Sequence, residues 1–216
     1  MKIALIGATG FVGTALLKEL TDRGHEVTAI ARNPGKLQST SLIHPKKGDV
    51  MDAKVVAELV KGNDAVVSAY NSGWTNPRIY EDFMEASRAI QQGVKKSGVK
   101  RLIVIGGAGS LEIKPGLQLI DTPQFPAEYK HGASAARDYL NELKSEKDLE
   151  WTFFSPAILM NHDSSGVRKG HYRLGLDNPV FDADGKSVLS VEDLALVIVD
   201  ELDKPRHIRQ RFTAGY

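Results

Sequence analysis

The chain reads as an α/β protein: a doubly wound parallel sheet with a small C-terminal lobe. Three observations predict this. Short, wholly apolar runs recur along the chain, the form taken by parallel strands buried on both faces. Segments with helical apolar spacing separate those runs. A glycine-rich stretch, Gly7-Ala8-Thr9-Gly10-Phe11-Val12-Gly13, joins the first run to the first helical segment.

The elements follow in order. Residues 3–6 form the first apolar run, and residues 11–23 a helix with Val12, Leu16 and Leu20 on one stripe and Gly24 as its stop. Residues 27–31 are a second strand and residues 42–44 a weak third. Val55, Val56, Leu59 and Val60 mark a helix that ends at Gly62, and residues 65–69 form a fourth strand. Ile79, Phe83, Ala86, Ile90 and Val94 give the clearest helix, closed by Gly98. Residues 102–105 are a fifth strand, residues 106–126 a long loop, residues 133–143 a helix and residues 151–155 a sixth strand. Repeated strand–helix alternation implies a parallel sheet with helices on both faces.

The last third differs. Residues 161–179 are polar and glycine-rich, Asp184-Gly185 signals a turn between two short strands, and Ser190 reads as the cap of a helix that ends before Pro205. Phe212-Thr213 suggests a closing strand. No linker or repeat interrupts residues 1–216, so one nucleotide-binding domain is expected, with residues 157–216 shaping a substrate side.

Composition narrows the function. Of 216 residues, 42% are apolar and 25% charged, and the net charge of +1 gives no long-range pull toward nucleic acid or membranes. There is no cysteine, which removes disulfides, thiolate metal sites and cysteine nucleophiles. No apolar stretch nears the roughly 20 residues of a membrane span. A cytoplasmic monomer or homodimer acting on a small molecule is expected. His25, His44, His131, His162, His171 and His207 are scattered without zinc-helix spacing, so no metal site is expected.

The glycines carry the chemistry. Gly7 ends a buried strand where a tight turn needs unusual backbone angles. Gly10 allows close backbone approach, and Gly13 lets the helix pack on the strand. The N–H groups of Phe11, Val12 and Gly13 then face a phosphate at a helix N-terminus, with the Thr9 hydroxyl beside them. The spacing G-x-x-G-x-x-G departs from the usual G-x-G-x-x-G fingerprint. Its position after the first strand of an alternating chain points to a Rossmann-type dinucleotide site. NAD sites place an acidic residue about 20 residues further on. Here Arg32 stands 19 residues after Gly13, and a guanidinium suits the 2′-phosphate of NADP. NADP (NADPH) is therefore the expected cofactor. Gly48-Asp49-Val50 would line the adenine. Ala69-Tyr70-Asn71 would meet the ligand at the end of the fourth strand.

These residues resemble the extended and atypical short-chain dehydrogenase/reductase superfamily, whose characteristic opening is GATGFVG. Within it the chain resembles the small NAD(P)H-binding proteins called NADH-flavin reductases or NAD-dependent epimerase/dehydratases. The likeness to NmrA-like and biliverdin reductase B type folds is more distant. VIGGAGSL (residues 104–111), WTFFSPA (151–157), DGKSVLSVEDLA (184–195) and RFTAGY (211–216) extend the resemblance over the whole chain. It implies that Ser155-Pro156-Ala157 lies beside the nicotinamide amide. It also implies that Gly106-Gly107-Ala108 occupies the family's catalytic serine position, with Ser110 displaced nearby. The family's Tyr-x-x-x-Lys pair is missing: Tyr70, Tyr80, Tyr129, Tyr139 and Tyr172 are followed four residues on by Trp74, Met84, Ala133, Leu143 and Leu176.

Without that pair, alcohol oxidation or sugar epimerisation is disfavoured, and reduction of a planar acceptor such as a flavin or quinone is the leading expectation. A non-catalytic NADP-binding redox sensor and a nucleotide-sugar epimerase or dehydratase are the alternatives. Tyr129 and His131 are weak proton-donor candidates beside a plain reading as a polar helix start. Trp74 reads as a packing residue, or as a cover over a ligand.

Overall fold

The computed structural model describes all 216 residues. The first half runs β1 (Lys2–Ile6), α1 (Phe11–Asp22), β2 (Glu26–Ala31), β3 (Ile43–Lys47), α2 (Ala53–Val60), β4 (Ala65–Ser68), α3 (Ile79–Ser97) and β5 (Arg101–Ile105). A small hairpin of β6 (Glu112–Lys114) and β7 (Leu117–Gln118) follows. Then come α4 (Lys130–Leu143), β8 (Glu150–Ser155), β9 (Arg173–Gly175), α5 (Val191–Asp203) and β10 (Gln210–Gly215). The main sheet has eight strands in the order β3-β2-β1-β4-β5-β8-β10-β9, and only β9 is antiparallel to its neighbour. This is a Rossmann-like α/β fold, as the alternation predicts.

Side chains alternate across the sheet, so each strand feeds two cores. Ile3 and Leu5 of β1 pack with Leu16 and Leu20 of α1, Leu194 and Ile198 of α5, and Phe154 and Phe212. Ala4 and Ile6 face the other way, into a core with Val56 of α2, Phe83 and Ile90 of α3, and Tyr139 and Leu143 of α4. Helices therefore cover both faces, and strands in the middle of the sheet have no polar side to offer water. The third strand is longer than its apolar signal because it is an edge. Pro45 sits within it and cannot donate to a second neighbour, a placement tolerated only at a sheet border.

Three segments depart from the sequence expectations. The loop at 106–126 holds the β6–β7 hairpin, turned at Pro115-Gly116; strands of three and two residues are too short to show a period. Asp184-Gly185 does form a turn, closed by Asp182 N–H donating to the Lys186 carbonyl at 2.8 Å, but no strand flanks it. Helix α4 starts at Lys130, three residues before its first buried alanine, because exposed Lys130 and His131 open a first turn that apolar spacing does not mark. Residues 157–216 do more than border a pocket: α5 and β10 complete the main sheet and its core. No helix is long and apolar enough to cross a membrane.

Candidate functional site

The strand order reverses between β1 and β4, which leaves a crevice beyond their C-terminal ends. Two backbones meet there. Gly7 has φ +80°, a conformation side chains avoid, and a Cβ on it would lie 2.6 Å from the Ala69 carbonyl oxygen. Gly13 lies across the turn, where a Cβ would fall 2.8 Å from the Gly7 carbonyl carbon. The first residues of α1 thus sit directly on the end of β1, with no room for any other side chain.

The start of α1 is open. Gly10 occupies the cap position, and no side chain caps the helix. Gly10 N–H donates to the Gly7 carbonyl at 3.0 Å, and the Gly10 carbonyl accepts from the Thr14 N–H at 2.9 Å and hydroxyl at 2.8 Å. The N–H groups of Phe11, Val12 and Gly13 cannot be paired inside the helix. They point with the positive end of the helix dipole into the crevice, beside the exposed Thr9. This donor set fits a pyrophosphate.

The adenine side is built from loops. Arg32 follows β2 and is exposed, and Asp49 is exposed with its carboxylate accepting from the Met51 N–H at 3.1 Å. Val50 is 6% exposed and belongs to the core with Ile6 and Ile30, so only its backbone can line a ligand. Tyr70, half-buried after β4, feels both loops. Burial raises its phenol above the ordinary value, the Asp82, Asp49 and Glu85 carboxylates push the same way, and Arg32 opposes them. Asn71 is exposed, and its side-chain oxygen accepts from the Gly73 N–H at 2.7 Å.

Beyond β5, Gly106 lies against the Phe153 ring, and Gly107 and Gly109 receive Ala136 and Ala133 of α4. Two alanines of α4 thus pack against the β5 loop. Ser110 is 2% exposed, and its hydroxyl and carbonyl both accept from buried Arg211, at 3.3 and 3.2 Å. It serves as an anchor for that guanidinium, which also binds Asp177 at 2.6 Å. At the end of β8, Ser155, Pro156 and Ala157 are all buried, and the Ser155 hydroxyl has no hydrogen-bond partner. Tyr129 and His131 are exposed at the start of α4.

The sequence offered no sign of two contributors. The His162 ring packs tilted against that of Phe11, the first residue of α1, with centroids 4.1 Å apart and planes at 45°, and so borders the open start of that helix. No local pattern marks it, because the contact spans most of the chain. Arg211, far from the glycine turn in sequence, organises the β5 loop. The polar, glycine-rich stretch at 161–179 divides. Residues 162–172 run down α1 and α5, held by Arg168 to Glu19 at 3.1 Å and by Lys169 and Gly170 N–H groups to Asp193. Residues 177–178 instead clamp the β6–β7 hairpin, where Glu112 N–H donates to the Asp177 carbonyl at 2.7 Å.

Residues 7–205 match the family model described as NAD(P)H-binding. YwnB of Bacillus subtilis, a protein of uncharacterized activity, is 41% identical over 215 residues, covering 99% of this chain and 97% of its own. A solved protein from Bacteroides thetaiotaomicron, provisionally named an epimerase, is 47% identical with a TM-score of 0.91, covering 100% of this chain and 96% of its own. A solved protein from Streptococcus pneumoniae, provisionally named an NADH-flavin reductase, is 36% identical with a TM-score of 0.88, covering 100% and 99%.

Proposed function

Since the chain belongs to the NAD(P)H-binding family of the atypical short-chain dehydrogenase/reductase kind, we propose that it is an NADPH-dependent reductase of a planar acceptor, a flavin or quinone. The observation that carries this reading is what surrounds the open start of α1. A phosphate-binding helix end stands beside a β5 loop packed on Ala133 and Ala136 rather than on an acid/base pair. Such a site can orient two rings but has no built-in proton relay.

When bound, the nicotinamide supplies a hydride. The chain's own part is positional. Phe11, Val12 and Gly13 N–H groups would hold the pyrophosphate, and Arg32 the 2′-phosphate. The Ser155 hydroxyl, buried and without a partner, would meet the nicotinamide amide. An acceptor that gains a hydride must also gain a proton. Tyr129 and His131 are exposed, so the proton comes from them or directly from water. The name of the Streptococcus pneumoniae neighbour agrees with this reading. Epimerisation, the activity in the name of the Bacteroides thetaiotaomicron neighbour, needs an acid/base group at the carbon it inverts, and Ala133 and Ala136 are what α4 packs on the β5 loop.

The test is NADPH oxidation followed at steady state with riboflavin, FMN and menadione. Turnover with at least one acceptor, faster with NADPH than with NADH, is the expected result. Tight NADPH binding with no turnover on any of them refutes the reductase reading and leaves the redox sensor.

A further inference from the structure

We propose that Trp74 and Tyr129 form the wall that receives the acceptor ring, so that the loop between β4 and α3 sets acceptor specificity. The inference rests on the reductase reading and adds to it the residues that select a planar aromatic acceptor.

The two side chains are conspicuously wet. Trp74 is 55% exposed and Tyr129 46%. A lone exposed apolar side chain means little, but two exposed aromatics in contact make one apolar patch that a partner ring can cover. They meet edge to face, with ring centroids 5.2 Å apart and planes at 79°. That geometry leaves a ring face free for a third ring, and offset or edge contacts with another π-system are its natural partners.

Placement supports the role. Trp74 leaves the C-terminal end of β4, whose continuation at Ala69 touches Gly7. Tyr129 precedes α4, the helix packed on the β5 loop. Both aromatics therefore stand on the rim that carries the glycine turn, on the side away from Arg32 along the sheet order.

The loop is also held in shape. The Asn71 side chain accepts from Gly73 N–H at 2.7 Å, and Asn76 N–H donates to the Gly73 carbonyl at 3.0 Å. The Asn76 amide donates to Asp82 at 2.8 Å, and the Ser72 hydroxyl to the Ile79 carbonyl at 3.3 Å. A preorganised wall loses little entropy when a ring settles on it. Gly132 completes the seat: a Cβ there would lie 2.8 Å from the indole and 2.9 Å from Ile79. The helix gives up a better helix former at that point, and the space it leaves is filled by the indole.

The test uses the full chain and two readouts. Riboflavin fluorescence, titrated with the protein in the presence of NADP, should be quenched saturably by the unmutated chain. Trp74→Ala should weaken half-saturation about tenfold and raise the acceptor KM by a similar factor. NADPH affinity, measured by calorimetry without acceptor, should not change. Gly132→Ala should reproduce the acceptor defect by displacing the indole, with NADPH affinity again unchanged. Equal riboflavin affinity in Trp74→Ala overturns the proposal, as does a full absence of quenching by the unmutated chain. Weakened NADPH binding in Trp74→Ala also overturns it, by assigning the wall to the cofactor. Trp74-dependent riboflavin binding without any NADPH oxidation would instead sink the reductase reading and keep the wall.

Discussion

At Gly13 the reason for a single residue type can be read atom by atom. A Cβ there meets backbone, and backbone cannot step aside as a flexible side chain does. Gly13→Ala should therefore lower the melting temperature and abolish nucleotide binding together, which calorimetry and thermal unfolding would show. Arg32 behaves differently. It is exposed and carries no structural contact that its loss would break, so Arg32→Ala should leave stability unchanged. A charge-assisted contact to phosphate is worth about 1.5–3 kcal/mol. The variant should accordingly lose about tenfold or more in NADPH affinity and little in NADH affinity, measured by isothermal titration. Both expectations come from local signals in the sequence: a strand end, a turn, and a fixed offset to the next strand. His162 and Ser110 were not. The first works through a ring contact with Phe11, and the second is occupied by an arginine from the last strand.

Elements are joined here by their ends. Ser190 caps α5 by accepting from the Asp193 N–H at 3.1 Å. Asp193 is fully buried, and its carboxylate accepts from Lys169 N–H at 2.8 Å, Gly170 N–H at 2.9 Å and the Tyr216 hydroxyl at 2.6 Å. Burial by itself would raise this carboxyl, but those donors outweigh burial and hold it below the usual carboxylate range. One side chain thus ties a helix start, the 162–172 loop and the last residue of the chain. Ser190→Ala should cost about 1 kcal/mol, the ordinary loss of a cap. Asp193→Asn should cost more, and should speed hydrogen exchange at Lys169 and Gly170, which the serine change should spare. The cap itself shows in the sequence as Ser-Val-Glu-Asp before an apolar run. The loop that Asp193 holds has no pattern of its own, because its order is borrowed from α5.

Over the whole molecule, acid sensitivity follows from carboxylates that folding has made stronger acids. Glu146 lies in the turn after α4 with its side chain 5% exposed. Burial pushes it up, but the Asp148 N–H at 2.6 Å, the Gln91 amide at 2.7 Å and the Lys95 ammonium at 3.1 Å bring it from 4.5 down to about 2. A carboxyl that is more acidic folded than unfolded stabilises the fold fully above the unfolded value, and loses that contribution as pH falls toward the folded one. Urea unfolding should therefore show stability falling between about pH 5 and pH 2, with a shallower fall in Glu146→Gln. Within this molecule, apolar alternation and glycine placement were enough to dictate a doubly wound sheet and a glycine turn with an open helix start, because strand burial and turn geometry act over a few residues. The folded chain alone decided that Trp74 meets Tyr129, that His162 meets Phe11, and that Arg211 holds the β5 loop. Those contacts join segments distant along the chain, and their partners are chosen by which strand ends the sheet order brings side by side.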